Sequence, residues 1–341
     1  MDLFSPTFFP QLPTLRNLEL AFKFASRQNR RMRIASLLPS ATEILYALGL
    51  GDSVVGVTHE CDFPPDARKK PALIRPRVDP AAPPAELDRQ VRELMSRGES
   101  LYSVDDALLR SLAPDLIVTQ DLCYVCAASP DDLATALARM PNPPDVLSLH
   151  PQTLAGVWDD IREIGKATRR LAEADALATK LAQRVARIET LVSSISAKPR
   201  VACLEWLDPI YVGGHWVPEM VACAGGIDVL GQASKPSFRV SAEQVMEAQP
   251  EIIVVMQCGY GVARNRADYN RAKFPPRWTE IPAVRSGRVF AVDANSYFSR
   301  SGPRLVDGVA LLSHLCHPEC AIPQIPMESF SSICAERKTT A

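Results

Sequence analysis

The sequence predicts an α/β protein of two Rossmann-like lobes, each with a parallel β-sheet, bridged by one long helix. The helix is indicated by residues 171–196, which contain no Gly or Pro and place apolar residues alternately three and four positions apart. The lobes are indicated by an internal repeat, because the order of strands and helices before this helix recurs after it. Together these observations favour a rigid strut between two lobes over a core helix of a bundle.

The first half opens with an apolar strand at residues 33–38, a helix at 41–50 and a strand at 53–58. Strand, helix, strand in this order is a right-handed parallel crossover unit. Ser40 and Glu43 match the two positions of a capping box, so the helix is expected to begin there. The other expected elements are a Pro-rich loop at 71–84, helices at 84–98, 104–113, 131–140 and 153–169, and strands at 114–120 and 145–150.

The second half follows the same plan after the long helix. Its expected elements are a strand at 200–206, a helix and strand within 219–232, a helix and strand within 241–256, a strand at 287–294 and a closing helix at 303–316. The resulting division of the chain is an extension at 1–32, an N-terminal lobe at 33–152, bridging helices at 153–198, a C-terminal lobe at 199–320 and a flexible tail at 321–341.

The composition argues against nucleic acid as a partner and indicates a cellular compartment. The 341 residues include 38 basic and 39 acidic side chains, so there is no basic field of the kind that binds nucleic acid. Nine cysteines, an odd number, favour a reducing compartment. Residues 1–32 lack the grammar of a signal peptide, and no apolar run is long enough to span a membrane. These features predict a cytoplasmic protein, with an organelle reached through the basic N-terminal segment as the alternative and the periplasm disfavoured.

Polar and aromatic residues collect where the predicted strands end, which is where open α/β sheets bind ligands. Because only 6% of the chain is aromatic, Trp and Tyr at these loops indicate stacking on a large flat ligand in a cleft between the lobes. The two-lobe plan and the aromatic residues at the cleft favour binding without catalysis, and the sequence has no Ser-His-Asp order, Walker loop, G-x-G-x-x-G after a strand or H-E-x-x-H motif. The candidate ligand-binding residues are Ser40, His59, Glu60, Asp62, Phe63, Gln120, Tyr124, Glu205, Trp206, Asp208, Trp216, Arg239, Tyr260 and Tyr297.

Four thiols lie at the same predicted strand ends. Cys123 and Cys126 form a C-x-x-C pair in a loop, and Cys61 and Cys258 are the other candidate metal ligands. A single C-x-x-C is weak evidence for zinc, which normally takes four ligands. The thiols could therefore line the pocket, ligate a metal ion or cobalt, act as a redox pair or have no function. This leaves a second candidate function, an intracellular metal- or cofactor-handling enzyme or metallochaperone.

Four segments together resemble one known superfamily. They are residues 33–64, 112–120, 205–231 and 240–255, and in order and spacing they are similar to the helical-backbone metal receptors, the iron-siderophore and cobalamin substrate-binding proteins of ABC importers. The segments PSATEI, DFPP and EWLDP are most similar to the cobalamin-binding type. The resemblance implies the type III substrate-binding-protein fold, with cobalamin or another metal chelate held between the lobes and no catalysis.

The resemblance also implies an ABC permease as partner, contacted through one carboxylate on each lobe. Glu243 matches the carboxylate of the second lobe. Ala107 stands at the first-lobe position, with Asp105 and Asp106 beside it, and this departure weakens the importer role. The expectation from sequence is thus a cytoplasmic variant of the superfamily, without a signal peptide, that binds a cobalamin-like corrinoid or another metal chelate.

Overall fold

The computed structural model describes residues 30–120 and 130–333 and shows two α/β lobes joined by a pair of helices. The sheet of the N-terminal lobe has the order β4-β3-β2-β1-β5-β6, parallel except for the β3–β4 pair. The elements of this lobe are β1 (Ile34–Ser36), α1 (Pro39–Ala47), β2 (Val54–Thr58), β3 (Ala72–Pro76), α2 (Pro84–Ser96), β4 (Tyr102–Val104), α3 (Asp106–Leu112), β5 (Leu116–Gln120), α4 (Pro130–Ala138) and β6 (Asp145–Leu149).

The sheet of the C-terminal lobe has the order β10-β8-β7-β11-β12-β13, and β9 pairs separately with β7. Its strands β7, β11 and β12 are parallel, whereas β8, β10 and β13 are antiparallel to their neighbours. The elements are β7 (Arg200–Leu207), β8 (Ile210–Val212), α7 (Val217–Cys223), β9 (Ile227–Asp228), β10 (Phe238–Arg239), α8 (Ala242–Glu247), β11 (Ile252–Val255), α9 (Val262–Arg271), α10 (Pro282–Arg285), β12 (Val289–Val292), α11 (Ala294–Tyr297), α12 (Leu305–Cys316) and β13 (Phe330–Ser332).

The two bridging helices are α5 (Leu154–Ala167) and α6 (Leu171–Val192). The long helix is confirmed, and its 22 residues span about 33 Å. Six of the eight residues on its predicted apolar face are buried: Ala174, Ala178, Leu181, Val185, Ile188 and Val192. The other two are Leu171, which is 49% exposed, and Ile195, which lies beyond the last turn of the helix. The helix therefore ends four residues before the predicted boundary at 196.

The strut joins the lobes through its partner helix. Helix α6 packs mainly against α5 and against α12 and α7 of the C-terminal lobe, while α1 of the N-terminal lobe contacts α5. One hydrophobic core runs from β1 and α1 through both bridging helices to α12. We predicted that α6 would pack along both lobes, but α6 contacts mainly the C-terminal lobe, and α5 makes the contact with α1 of the N-terminal lobe. The continuous core opposes separation of the lobes.

Two stretches differ from the sequence prediction. Residues 72–76, expected to be loop, form β3, because Leu73 and Ile74 are buried and the strand pairs with β2. Residues 330–332, expected to belong to a flexible tail, form β13 at the edge of the C-terminal sheet. Within the described residues, no helix combines the length and apolar character needed to cross a membrane.

Candidate ligand-binding cleft

A cavity of about 440 Å³ lies between the lobes at the ends of the strands. Residues that follow β2 form one wall, and residues that follow β11 and β12 form the other. The lining residues are His59, Glu60, Asp62 and Arg68 from the N-terminal lobe and Gly259, Asn295 and Arg300 from the C-terminal lobe. The fold therefore brings three predicted residues, His59, Glu60 and Asp62, into one polar cavity with residues from the opposite lobe.

Arg300 links the lobes at this cavity. Its guanidinium donates to Asp62 Oδ1 at 2.5 Å and to Glu43 Oε1 at 3.2 Å, both in the N-terminal lobe. A further donated bond reaches the Glu60 carbonyl oxygen at 2.9 Å, and Asn295 Oδ1 accepts another at 2.9 Å. The Arg300 side chain is only 6% exposed, so these bonds satisfy a buried charge.

Arg304 forms the second part of the same link. It donates from Nε to Glu43 Oε2 at 2.9 Å and from a terminal nitrogen to Glu43 Oε1 at 2.6 Å, a bidentate pair. Its guanidinium also lies 4.1 Å from the ring centre of Phe63 and 5.7 Å from that of Tyr297. These two predicted residues therefore contact the interlobe link and are not among the residues that line the cavity.

Glu43 has a different role from the one its sequence context suggested. Leu38 occupies the N-cap of α1 without a side-chain cap, and Ser40 lies inside the helix. The Ser40 hydroxyl is instead 3.3 Å from the Ser301 hydroxyl in the other lobe. The capping-box prediction is wrong because both of its side chains face the C-terminal lobe.

The charge of Arg300 also acts on Asp62. Burial alone would raise the pKa of this carboxyl, but the hydrogen bond and positive charge of Arg300 outweigh burial and lower the pKa. Asp62 Oδ2 additionally accepts from the Asn295 side-chain amide at 3.2 Å. Asp62 is therefore held ionised and oriented by two residues of the opposite lobe.

A second link lies at Arg264 on α9. Its guanidinium donates to the Ala82 carbonyl oxygen in the N-terminal lobe at 2.7 Å and to Asp268 Oδ2 at 2.8 Å. The same group lies 4.7 Å from the Tyr260 ring centre, and the Trp206 ring lies 5.5 Å from Tyr260. The predicted aromatic residues Trp206 and Tyr260 thus form a pair in the C-terminal lobe beside this link.

Other predicted residues lie apart from the cavity lining. Trp216 is buried and donates from Nε1 to the Phe298 carbonyl oxygen at 2.9 Å, so it packs within its own lobe. Asp208 follows β7 and Arg239 lies on the edge strand β10, and both are exposed. Gln120 ends β5 and is half-buried.

Glu205 is half-buried near the end of β7 and accepts a hydrogen bond from the Ser237 hydroxyl. Burial raises the pKa of Glu205 to about 7, although the bonds from Ser237 and the Gly214 backbone oppose this. It is therefore a carboxyl of the C-terminal lobe that is partly protonated near neutral pH.

The thiols of the described residues do not form a metal site. Cys61 is buried, with Sγ 3.1 Å from Thr42 Oγ1 and 3.3 Å from Thr58 Oγ1, and burial raises the pKa of its thiol. Cys258 is exposed, and neither thiol is among the cavity-lining residues. Cys123, Tyr124 and Cys126 lie outside the described residues. Across 30–120 and 130–333, no group of three or more His, Cys, Asp or Glu side chains is arranged to hold a metal ion.

The two positions compared with permease-docking carboxylates are both on the surface. Glu243 is exposed in the first turn of α8. Ala107 is exposed on α3, where Asp105 caps the helix by accepting from Leu108 N at 2.9 Å and Asp106 pairs with Arg139 at 3.3 Å. The acids beside Ala107 therefore already have partners within the lobe.

Sequence reasoning missed Arg68, Gly259, Asn295 and Arg300 in the cavity wall, and Arg304 behind it. A usable signal was present, since Arg300 and Arg304 are four residues apart and follow the polar strand-end segment 295–298. Two cations spaced in this way beside a buried helix require nearby acids, and Glu43 supplies one from the other lobe.

Two α/β lobes, a pair of bridging helices and a polar cavity lined by both lobes define a clamp-type ligand-binding protein. The chain belongs to the periplasmic binding protein family, whose model matches residues 34–296. It is 26% identical over 286 residues to the vitamin B12-binding protein of Vibrio cholerae, covering 81% of this chain and 86% of that protein. It is also 27% identical over 298 residues to an uncharacterised ABC transporter substrate-binding lipoprotein of Bacillus subtilis, covering 84% and 80%.

Solved structures share the fold. The periplasmic vitamin B12-binding protein of Vibrio cholerae aligns with a TM-score of 0.59 at 25% identity, covering 84% of this chain and 96% of that one. A periplasmic haem-binding protein from Pseudomonas aeruginosa aligns with a TM-score of 0.69 at 19% identity, covering 89% and 99%. These alignments match the predicted type III substrate-binding-protein architecture.

The prediction of a cytoplasmic location is wrong. The matching family is that of periplasmic binding proteins, and the relatives include a substrate-binding lipoprotein and periplasmic receptors. These findings point to an extracytoplasmic location. The odd number of cysteines was a poor indicator of a reducing compartment, because buried thiols such as Cys61 and Cys203 serve as small apolar residues in the core.

Proposed function

We propose that this protein is a non-catalytic receptor that binds a cobalamin-like corrinoid or another metal chelate in the cleft between its lobes. The observation that carries the proposal is the polar cavity walled by strand-end residues of both lobes. Family membership and the relatives that are named for vitamin B12 support the chelate as ligand class. A ligand in this position contacts both lobes at once, which is the geometry of a clamp.

The chemistry of the cleft supports binding over catalysis. The acids and bases at its floor neutralise one another, since Arg300 and Arg304 are paired with Glu43 and Asp62. A general acid or base needs a proton that it can exchange with a substrate, and groups held in buried ion pairs are poorly suited to that task. Tyr260 follows the cavity residue Gly259 in the sequence and its ring contacts that of Trp206, and we propose that this pair offers aromatic surface for a flat ligand.

The partner that follows from this proposal is an ABC permease. Glu243 is the residue we propose for docking on the C-terminal lobe, because it is exposed at the start of α8. The N-terminal lobe would dock through contacts other than a carboxylate at position 107. The alternative of a thiol-based metal handler has no supporting observation among the described residues, since Cys61 faces the core.

Titration with cyanocobalamin and with ferric protoporphyrin IX tests the proposal. We expect saturable 1:1 binding of at least one of them, and stabilisation of about 2.7 kcal/mol at a ligand concentration 100 times Kd. Glu60→Trp should weaken binding at least about tenfold, because it fills the cavity that Glu60 lines while keeping the carbonyl that Arg300 uses.

Glu163→Trp is the matched control, because Glu163 is an exposed residue of α5 outside the cavity lining. This variant should bind as tightly as the unmodified protein. Absence of binding by both ligands, or equal affinity of the Glu60→Trp variant, would contradict the proposed site.

A further inference from the structure

We propose that residues 78–100 form a hinged flap beside the cleft, and that a hydrogen bond from Arg264 of the opposite lobe holds it shut. The flap consists of the loop after β3 and helix α2. Its role as a gate to the interlobe cavity rests on the proposed function. Its hinge and its latch do not, because both are features of the protein without a ligand.

Helix α2 is attached weakly to its own lobe. None of its 13 residues is buried, and none belongs to the three hydrophobic cores of the described residues. The ion pairs described for this helix join residues of the segment 86–97 to one another. A segment with few buried apolar contacts opens at a low cost in free energy.

The flap leaves and rejoins the sheet at one place, which forms the hinge. Strands β3 and β4 are antiparallel with Pro76 opposite Tyr102, and the Arg77 N–H donates to the Leu101 carbonyl oxygen at 2.8 Å. Because its two ends are adjacent, the flap can rotate about them as one unit. The Tyr102 ring centre lies 6.0 Å from that of His59, so the hinge adjoins the cavity wall of the N-terminal lobe.

Hydrogen bonds inside the flap hold its loop to its helix. The Asp79 N–H donates to Gln90 Oε1 on α2 at 3.0 Å. The Ala81 N–H donates to Asp79 Oδ1 at 2.9 Å, and the Ala82 N–H donates to the Asp79 carbonyl oxygen at 3.1 Å. The turn that carries Ala82 therefore moves together with α2.

Arg264 is the latch on the C-terminal lobe. Its guanidinium donates to the Ala82 carbonyl oxygen at 2.7 Å, while Nε donates to Asp268 Oδ2 at 2.8 Å. The Asp268 side chain is 2% exposed, so this charged pair anchors Arg264 firmly to its own lobe. Among the hydrogen bonds and ion pairs of the described residues, the bond to Ala82 alone joins the flap to the C-terminal lobe.

The latch adjoins the opposite wall of the cavity. The Arg264 guanidinium lies 4.7 Å from the ring centre of Tyr260, which follows the cavity residue Gly259. The flap thus lies against the N-terminal wall at its hinge and beside the C-terminal wall at its latch. Release of the latch lets the flap swing away and widens the entrance to the cavity.

A moving flap supplies the entry that the lobes themselves oppose. One hydrophobic core runs through both lobes and the bridging helices. Arg300 and Arg304 of the C-terminal lobe are bound to Glu43 of the N-terminal lobe. Separation of the lobes would break all of these contacts, whereas opening of the flap breaks one hydrogen bond between them.

Hydrogen exchange of the ligand-free protein tests the hinge and the latch. We expect the amides of α2 to exchange faster than those of the buried helix α1, and Arg264→Ala to speed exchange in the segment 82–96 at least about fivefold. Arg271→Ala is the matched control, because Arg271 lies on the same helix and pairs with the same Asp268 at 3.5 Å. This control should leave exchange in the flap unchanged.

A second pair of variants guards against damage to the C-terminal lobe, because Arg264→Ala leaves the buried Asp268 with fewer partners. The double variant Arg264→Ala/Asp268→Asn removes that charge and should show the same faster exchange in the flap. Asp268→Asn alone keeps the Arg264 side chain and should not. Unchanged exchange in α9 and β11 confirms that the lobe is intact.

Stopped-flow mixing with cyanocobalamin and with ferric protoporphyrin IX tests the gate. For a probe that binds, Arg264→Ala should raise both the association and the dissociation rate constants at least about threefold, because the closed flap is a barrier to each step. Arg271→Ala should leave both rate constants unchanged.

The outcomes separate this inference from the proposed function. Equal exchange of the segment 82–96 in the unmodified protein and in both Arg264→Ala variants would overturn the latch. Faster exchange with unchanged binding rates would overturn the gate and leave the chelate receptor standing. Failure of both probes to bind would overturn the proposed function and the gate with it, whereas the exchange data decide the latch independently.

Discussion

Glu43→Ala is expected to lower the free energy of unfolding by about 3–5 kcal/mol, because it leaves two buried cations without their shared partner. Glu43 is 2% exposed, and the side chains of Arg300 and Arg304 are 6% and 14% exposed. The Glu43 carboxylate accepts three of their hydrogen bonds. Its loss also removes a link between the lobes, so part of the effect should appear as weaker chelate binding.

Urea denaturation followed by circular dichroism measures the change. Asp159→Ala is the control, since it removes an exposed carboxylate paired with Arg162 and should cost less than about 1 kcal/mol. A variant in which Glu43, Arg300 and Arg304 are replaced by Met and Asp62 by Asn should recover most of the loss, because the four linked charges are removed together. A loss below about 1 kcal/mol for Glu43→Ala would mean that the interlobe link contributes little to stability.

Glu205 is expected to make the protein less stable as the pH rises from about 4.5 to above 7. Burial raises the pKa of Glu205 from 4.5 to about 7 in the folded state. At a pH below the pKa of Glu205 in the unfolded state, the carboxyl is protonated in both states and its ionisation does not affect stability. At a pH above the pKa in the folded state, the carboxyl is ionised in both states, and the folded state is destabilised because it holds a buried carboxylate. Since one pKa unit corresponds to about 1.4 kcal/mol, the full penalty is about 3 kcal/mol.

Denaturation of the Glu205→Gln variant at pH 5 and pH 8 measures this effect. The unmodified protein should lose about 2.5 kcal/mol more stability than the variant between these two conditions, because part of the penalty is already present at pH 5. Asp160→Asn provides an independent comparison, because burial and the charge of Asp159 raise the pKa of Asp160 to about 7 in α5. Equal pH dependence of the unmodified protein and the Glu205→Gln variant would show that Glu205 ionises normally.

Local patterns predicted the architecture because the fold is built from them. The apolar spacing along α6 and the repeat of strands and helices require only neighbouring residues. Open α/β sheets bind ligands beyond the carboxyl ends of their strands, and this rule correctly predicted His59, Glu60 and Asp62 in the cavity wall. The rule depends only on sheet topology, which the sequence pattern predicts. Strand β3 was missed because the prolines of the segment 71–84 suggested a loop, although Leu73 and Ile74 are buried as in a strand.

The interlobe link could not be predicted in the same way. Glu43 and Arg300 are 257 residues apart, and their pairing depends on how the two lobes meet. The spacing of Ser40 and Glu43 satisfies a local capping rule equally well, so local reasoning assigned both residues to the wrong partner. Trp216 was assigned to the cleft for its residue type, whereas its indole N–H is bonded within its own lobe.

Hydrogen exchange of the protein with and without a saturating chelate tests most directly the claim that the ligand lies between the lobes. With cyanocobalamin or ferric protoporphyrin IX bound, we expect slower exchange in the segment 59–68 of the N-terminal lobe and in the segments 257–262 and 293–301 of the C-terminal lobe. Exchange on the exposed face of α3 should stay unchanged, which serves as the internal control. Protection confined to one lobe, or absent from these segments while the chelate is bound, would contradict the account.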